Sequence, residues 1–535
     1  MDSKRLAGQP HVQQSPERTS SASMGYSGCM ARTLNPQERE FFRTVADAVF
    51  SNPFGPRREE IDARILGSSE RHPHAERSHR LRTRIASEVS RLETDGIAHL
   101  DAHSAEDRAI LQVAFLFLGY QESFTDLDAH IDAAFRAPPP PLASPSARHP
   151  PTFAEADVHL TRLRQRGFTS EESERYLAIF FQLRRAHRFI ENGLVGRSDA
   201  MIELRRQLWN AAVSADMRIY GRRLFDRMED FSTLLLGETG SGKGRAAAAL
   251  GRSGFIPFDP KRGAFAETFT EAFLSINLSQ FPEGLLASEL FGHRKGAFTG
   301  AIEDHVGVFS RCSPYGSILL DEVGEVSVPV QIQLLRVLQE RTFSPVGGSE
   351  ILRFRGRVIA ATNQSITARR EEGSFRDDFY YRLSSDVITV PPLRTRIAED
   401  PSELETLVGV LVTRIVGEPD PPLAARVLES LAQSVPTDHP WPGNVRELEQ
   451  AVRRVLLTRR YEPELDPRAK RIHELGARID VEGGTLSARE LVARYCALLY
   501  RRSGNLAEVA RRTGLDRRTV RKHLAEVGDA GITEI

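Results

Sequence analysis

The residues with the plainest chemical capacity are Gly237, Glu238, Thr239, Gly240, Ser241, Gly242 and Lys243. They follow the apolar run Leu234–Leu236 and precede the helix-forming stretch Ala246–Leu250. A buried strand, a glycine-rich turn, a lysine and a helix make a cradle for phosphate. Glycines let the backbone curl until several N–H groups point at one anion. The helix N-terminus adds partial positive charge, and the lysine reaches the terminal phosphates. The next residue is Gly244, where such loops usually carry a Ser or Thr hydroxyl that holds Mg2+. Two possibilities stay open at this point: other groups hold the metal, or nucleotide binds without being hydrolysed.

The partners of such a loop occur downstream in order. Ser317-Ile-Leu-Leu-Asp321-Glu322 reads as a buried strand ending in two acids. Asp321 suits a Mg2+ ion, directly or through water, and Glu322 suits the attacking water. Ala272–Asn277 and Arg357–Asn363 are further apolar strands with polar ends. In an open parallel sheet ligands sit beyond the carboxyl ends of strands, so Asn277, Asp321 and Asn363 are expected to gather near a γ-phosphate. Val330–Arg341 has the apolar spacing of an amphipathic helix. Arg376 and Arg382 stand six residues apart; alone they are surface arginines, and in a ring they are candidate arginine fingers. Trp441-Pro-Gly opens another helix, with Arg446 on its first turns where it could touch phosphate. Gly296-Ala297-Phe298-Thr299-Gly300-Ala301 sets an aromatic residue between glycines. That suits a mobile loop with Phe298 at its tip. The alternative is a tight turn with the ring buried.

At 535 residues the chain calls for two to four domains. Lys plus Arg and Asp plus Glu number 72 each, which excludes a surface basic all over and leaves room for local patches. Cys29, Cys312 and Cys496 lie far apart without metal-ligand spacing and read as ordinary thiols in a reducing cytoplasm. No apolar run approaches a membrane span, and no signal peptide is evident, so a cytoplasmic location without membrane contact is expected.

Residues 1–35 are polar and read as disordered. From Asn35 the pattern becomes helical, with Pro36 and Glu38 at the start and Phe41, Phe42, Val45, Val49 and Phe50 at helical spacing. Ala109–Leu118 is the most apolar helix candidate of this third. Pro138–Pro141, Pro145, Pro150 and Pro151 mark a break over 138–151 within a helical region 36–190, which is expected to form a separate regulatory region acting on the phosphate-loop domain. Phe153–Ile190 is then expected to be a helical block, its amphipathic helices running without another such break into Leu194. His72, His74 and His79 sit in an arginine-rich stretch that reads as a solvated loop. The absence of alternating strands and helices argues against a phospho-accepting receiver domain.

Residues 461–484 read as a linker. A helix over 488–501 is followed by Gly504–Leu524, in which Ala510, Gly514 and Val520 occupy the small, turn and apolar positions of a helix-turn-helix. Asp516 is a plausible cap for the second helix. Arg517, Arg518, Thr519, Arg521, Lys522 and His523 lie on or beside that helix, the place for a major groove and its phosphates. A helical hairpin with a solvated basic face is the competing reading.

With these motifs in hand, the chain resembles the bacterial enhancer-binding activators of sigma-54-dependent transcription, which are AAA+ ATPases. The likeness covers roughly Leu194–Arg459. It implies an α/β AAA+ domain over 191–460 with a helical lid from about 395, and a Fis-type helix-turn-helix over 485–535. Gly237–Lys243 resembles the Walker A motif and Asp321-Glu322 the Walker B motif. Asn277 resembles the residue that holds the catalytic glutamate in check. Thr362-Asn363 looks like sensor I, Arg376 and Arg382 like the arginine fingers, and Arg446 like sensor II. Leu194-Val-Gly-Arg-Ser resembles the motif with which that family's ATPase domain opens. Gly296–Ala301 resembles the signature loop that contacts the sigma factor. The resemblance implies ATP and Mg2+ as cofactors. Its implied partners are sigma-54 RNA polymerase, double-stranded DNA at an upstream site, and further copies in a hexameric ring. The family commonly has Glu at the position of Gly244 and Cys at that of Leu278. Ala215–Asp230 appears longer than usual and is expected to be an extra helical turn on the surface. A nucleotide-gated DNA-binding repressor, motivated by Gly244, and an AAA+ remodeller of another protein, opposed by Gly296–Ala301, are the other readings.

Overall fold

The computed structural model describes residues 33–68, 74–136, 150–461 and 487–526. They fall into two compact units that part between Asp400 and Pro401.

The first unit opens with helices only. These are α1 (Pro36–Phe50), α2 (Pro56–Leu66), α3 (His74–Thr94), α4 (Ala105–Glu122), α5 (Phe124–Arg136), α6 (Ala156–Gln165) and α7 (Ser170–Gly193). Local chemistry sets their starts. Asn35 and Glu38 form a capping box under Pro36, and Thr169 and Glu172 form another at the head of α7. The helical block expected over Phe153–Ile190 consists of α6 and α7. Gly167, at φ 98°, turns the chain between α6 and α7. His74 and His79 lie on α3, not in a loop. Cys29, His72, Pro138–Pro145 and the linker over 462–484 lie outside the described residues.

Among the described residues, nine strands follow. They are β1 (Thr233–Leu236), β2 (Phe258–Asp259), β3 (Ala264–Phe265), β4 (Phe273–Asn277), β5 (Ser317–Asp321), β6 (Thr342–Phe343), β7 (Leu352–Arg353), β8 (Arg357–Thr362) and β9 (Asp386–Thr389). Five of them form a parallel sheet in the order β4-β5-β8-β1-β9. The rest make two small antiparallel pairs, β2 with β3 and β6 with β7. The parallel sheet is buried on both faces, as such sheets must be. Leu234, Ile318, Leu320, Val358 and Ala360 point into one core. Their neighbours Leu235, Leu319, Ile359, Ala361 and Ile388 point into the other, against α7 and α8 (Asp199–Val213).

The helical region expected to stand apart shares its core with the nucleotide domain. One apolar cluster runs from Leu34 through α1–α7 to Ile256, Phe258, Phe265 and Phe269. Phe181 of α7 stacks on Phe265 with ring centroids 3.9 Å apart. Beside it, Arg185 is fully buried and donates to the carbonyls of Arg252 and Gly254, each at 2.7 Å. Gln182 donates to the carbonyl between them, Ser253, at 3.0 Å. These three carbonyls leave the C-terminal end of the helix that follows the phosphate loop, Lys243–Gly251. A cation and an amide at that end satisfy exposed acceptors and oppose the negative pole of the helix dipole.

Ala215–Asp230 is not a surface turn alone. Its π-helical segment Tyr220–Leu224 buries Tyr220 completely, and the Tyr220 hydroxyl donates to Gln182.

Among the described residues the second unit opens with the helices Ser402–Val416, Pro421–Ser434 and Asn444–Thr458. The helix Leu393–Glu399, expected at the start of the lid, belongs to the first unit. Further along come Ala488–Ser503, Leu506–Thr513 and Arg517–Glu526, packed around Cys496, Val509, Val520 and Leu524.

Candidate nucleotide site and partner loop

The phosphate loop is built as its residue types require. Gly237, Gly240 and Gly242 all have positive φ, at 155°, 76° and 113°. At Gly237 a β-carbon would also come within 2.9 Å of the Val390 carbonyl, so no side chain fits there. Lys243 is 7% exposed and folds back over the loop, donating to the carbonyls of Gly237 and Glu238 at 2.9 and 3.2 Å. The Ser241 hydroxyl is buried in the loop without a hydrogen-bond partner. Glu238 is clasped by the Arg394 guanidinium through bonds of 2.8 and 2.5 Å, which ties the loop to the helix after β9.

The sheet register brings the remaining polar groups together. Asn277 of β4 pairs with Asp321 of β5, which in turn pairs with Ala361 of β8. Glu322, just past the strand, adopts a left-handed backbone at φ 57° and ψ 42°. Its carboxylate accepts from the Asn363 N–H at 3.3 Å. The Asn363 side chain donates to Thr239 of the phosphate loop at 2.8 Å, so β8 couples the acid to the loop. Burial pushes the Glu322 carboxyl above its usual range, with the Asn363 N–H and the Lys243 ammonium opposing. Asn277 sits in the same row, but its side-chain oxygen is occupied by the Ser279 N–H and hydroxyl at 3.0 and 2.8 Å. Thr362 is fully buried and accepts from the Gln364 N–H.

Gly244 stands in open space: a β-carbon at this position would have no heavy atom within 4 Å, so nothing in the packing demands glycine. Mg2+ commonly takes one or two carboxylates and completes its shell with phosphate and water. Asp321 supplies such a carboxylate, and the missing hydroxyl does not empty the donor set. Among the described residues no group of three or more His, Cys, Asp and Glu could hold a metal ion by itself. Burial pushes the Cys312 thiol up to about 12 and also raises Cys496.

Arg376 stands at the N-cap of the short helix Asp377–Leu383, and Arg382 lies in its last turn. Arg376 pairs with Asp378 at 2.7 Å, and Arg382 donates to the Leu338 carbonyl at 2.9 Å. Neither of these bonds runs to the phosphate loop. Arg446 is exposed on the first turn of Asn444–Thr458, in the second unit.

Gly296–Ala301 forms a hairpin closed on itself. The Gly296 N–H donates to the Ala301 carbonyl at 2.8 Å, and the Ala301 N–H to the Phe298 carbonyl at 3.0 Å. Gly296 and Gly300 have φ of 81° and 103° with open space around them, so backbone conformation and not crowding selects glycine. Phe298 is half-buried, edge-on to His293 at 4.9 Å. It lies between the two readings of the sequence, neither buried nor free. Below it, Arg294 bridges Asp304 and Glu350, and Asp304 also accepts from the Lys295 N–H at 2.7 Å. Sequence reasoning missed the apolar surface beside the hairpin. Ile302 is 75% exposed and Val306 59%; isolated β-branched residues give no periodic signal.

In the last helices, Gly514 turns the chain at φ 68°, and Asp516 accepts from the N–H groups of Arg518 and Thr519 at 2.9 Å each. Arg517, Arg518, Arg521 and Lys522 are exposed, Thr519 and His523 half-buried, and Val520 faces the core.

Residues 216–389 match the family model of the sigma-54 interaction domain. That match covers 174 of the chain's 535 residues. The parallel sheet and phosphate loop of that stretch have the α/β arrangement that the AAA+ resemblance implies. The chain is similar to the Nif-specific regulatory protein of Azotobacter vinelandii, 40% identical over 44% of this chain and 42% of that protein. It is also similar to the regulatory protein AtoC of Escherichia coli (strain K12), 33% identical over 56% and 62%. It spans about half the length of the curated relatives it matches. Among solved structures, NtrX from Brucella abortus in complex with ADP aligns over 70% of this chain and 80% of that one, at 21% identity and a TM-score of 0.39. No helix among the described residues is long and apolar enough to cross a membrane.

Proposed function

We propose that this protein is a DNA-binding transcriptional activator that hydrolyses ATP to remodel sigma-54 RNA polymerase holoenzyme and so open promoters. One observation carries the reading. A phosphate loop wired through Asn363 to the acid Glu322 stands in the same domain as the braced Gly296–Ala301 hairpin.

ATP is the substrate, and Mg2+ would be held by Asp321 and supply charge neutralisation at the phosphates. The Gly237–Gly244 backbone and Lys243 bind the phosphates. Glu322 takes the proton of the attacking water, and its raised affinity for protons suits that task. Asn363 positions Glu322 and reports phosphate occupancy through Thr239. Asn277, one strand over, is within the same row to engage Glu322 once its bonds to Ser279 open. Arg376, Arg382 and Arg446 act on the nucleotide in the assembled ring, the first two on the neighbouring copy's site, with a hexamer as the family's closed form. Phe298 and Thr299 carry the contact to the sigma factor. Arg517, Arg518, Thr519, Arg521, Lys522 and His523 bind the major groove and phosphates of an upstream DNA site. The setting is the cytoplasm, at the nucleoid.

The test is promoter opening by the purified full-length protein with sigma-54 holoenzyme, a permanganate footprint being the readout. Open complex should require ATP and be lost with Glu322→Gln. Opening without hydrolysis, or none with the parent protein on any sigma-54 promoter carrying its site, overturns the reading.

A further inference from the structure

A cleft of about 800 Å3 opens between α3, α4 and α6, in the helical region ahead of the phosphate loop. Its size is that of a metabolite site. Arg82, Arg162 and Arg166 line it together with Glu93 and Glu122, and Leu118 contributes apolar floor.

Arg166 is the informative residue. Its side chain is only 9% exposed and lies over the Phe115 ring at 5.7 Å. One arm reaches Glu122 Oε1 at 3.4 Å and stands 3.9 Å from Glu93. The other nitrogen, Nη1, has no hydrogen-bond partner. Nor does Oε2 of Glu122, to which Arg162 comes no closer than 3.8 Å. A buried donor and a buried acceptor are thus left open beside one another, and groups of this kind are normally satisfied. Water could serve either one. It does not account for three guanidinium groups and two carboxylates converging on one half-apolar cleft.

We infer that the cleft binds a small amphoteric acid of the amino-dicarboxylate type. Three arginines against two glutamates leave one positive charge, the complement of two carboxylates and one ammonium. The ligand's carboxylates meet Arg166, Arg162 and Arg82, where planar forks match planar acids. Its ammonium meets Oε2 of Glu122, and its carbon chain lies along Leu118. The site also has a path to the nucleotide domain. Arg166 closes α6, its carbonyl accepts from the Leu100 N–H at 3.1 Å, and Gly167 then leads into α7 with its Arg185 clamp. Binding here is independent of whether the phosphate loop hydrolyses ATP.

The experiment is calorimetric titration of the full-length protein with L-glutamate and with glutarate, which lacks the ammonium. L-Glutamate should bind saturably at one site per chain, and glutarate at least about tenfold more weakly, because Glu122 would be left unpaired. Arg166→Gln should weaken L-glutamate by about tenfold or more, since a charged bidentate contact is lost. Because Arg166 is buried, Arg82→Ala on the cleft wall is the second variant; it should weaken binding with the melting temperature unchanged. No saturable binding by the parent protein overturns the site, as does binding that survives both substitutions. Glutarate binding as tightly as L-glutamate overturns the ligand class.

Discussion

Replacing Arg185 with methionine should loosen the phosphate loop from behind. The guanidinium makes two bonds of 2.7 Å to carbonyls at the end of the phosphate-loop helix and lies 4.2 Å over the Phe181 ring. Hydrogen bonds from a charged group contribute about 1.5–3 kcal/mol each. Two of them amount to roughly 3–6 kcal/mol, and their loss strands two acceptors at a helix end. Against this, the cation is costly to bury, which pushes Arg185 down to about 9. Methionine fills the same space without that cost, so part of the loss is returned. A net destabilisation of about 2–4 kcal/mol remains, a fall in melting temperature of roughly 4–10 °C. The fall should be accompanied by weaker ATP binding, since the helix that offers its N-terminus to phosphate is held at its other end by α7. Thermal unfolding and ATP titration of the full-length protein are the assays. Arg185→Lys, which keeps the charge but not the fork, should fall between the two. A methionine variant that melts with the parent and binds ATP equally well would refute the clamp.

Other outcomes follow from the site. Glu322→Gln should cut turnover about 10²–10⁴-fold while ATP still binds, and it should remove the acid limb of the pH–rate profile. That limb should lie above the ordinary glutamate range, because a general base works only when ionised and burial raises the Glu322 pKa, so activity falls as pH drops through the raised value. Arg376→Ala or Arg382→Ala should each lose most turnover, yet recover some when mixed with Lys243→Ala subunits; no recovery in any mixture would count against action on a neighbour. Thr299→Ala, or loss of the Phe298 ring, should leave ATP hydrolysis nearly intact and abolish promoter opening, as measured by footprinting; normal melting would sink the partner assignment.

The nucleotide site was legible because its chemistry demands rare local features. Three glycines before Lys243, two acids closing an apolar strand and polar ends on parallel strands leave few other folds. The hairpin was legible for the same reason, through glycines at 296 and 300. What the chain did not announce is pairing between ordinary residues far apart in sequence. Phe181 on Phe265, Arg185 at Arg252 and Gly254, and Tyr220 against Gln182 use common types with no periodic mark. Hence the helical third read as a separate region and Ala215–Asp230 as surface. The lid boundary moved from about 395 to 401 because Leu393–Glu399 is held inward, Arg396 donating to the Val195 carbonyl at 2.6 Å. Asn277 was placed in the correct row, but register cannot say which neighbour its amide will choose.

The clamp of α7 on the phosphate-loop helix also bears on how such proteins can be recombined. Activators invite treatment as strings of cassettes, in which one sensing module is exchanged for another at the junction before the ATPase. Here that junction runs through a shared core: a splice near residue 190 would discard Phe181, Gln182 and Arg185 and uncover Phe265 and Phe269. A viable chimaera must carry Ser170–Gly193 with the ATPase, whatever is grafted ahead of it. In lineages where the helical third ahead of it drifts or is replaced, that helix should be inherited with the nucleotide domain it holds.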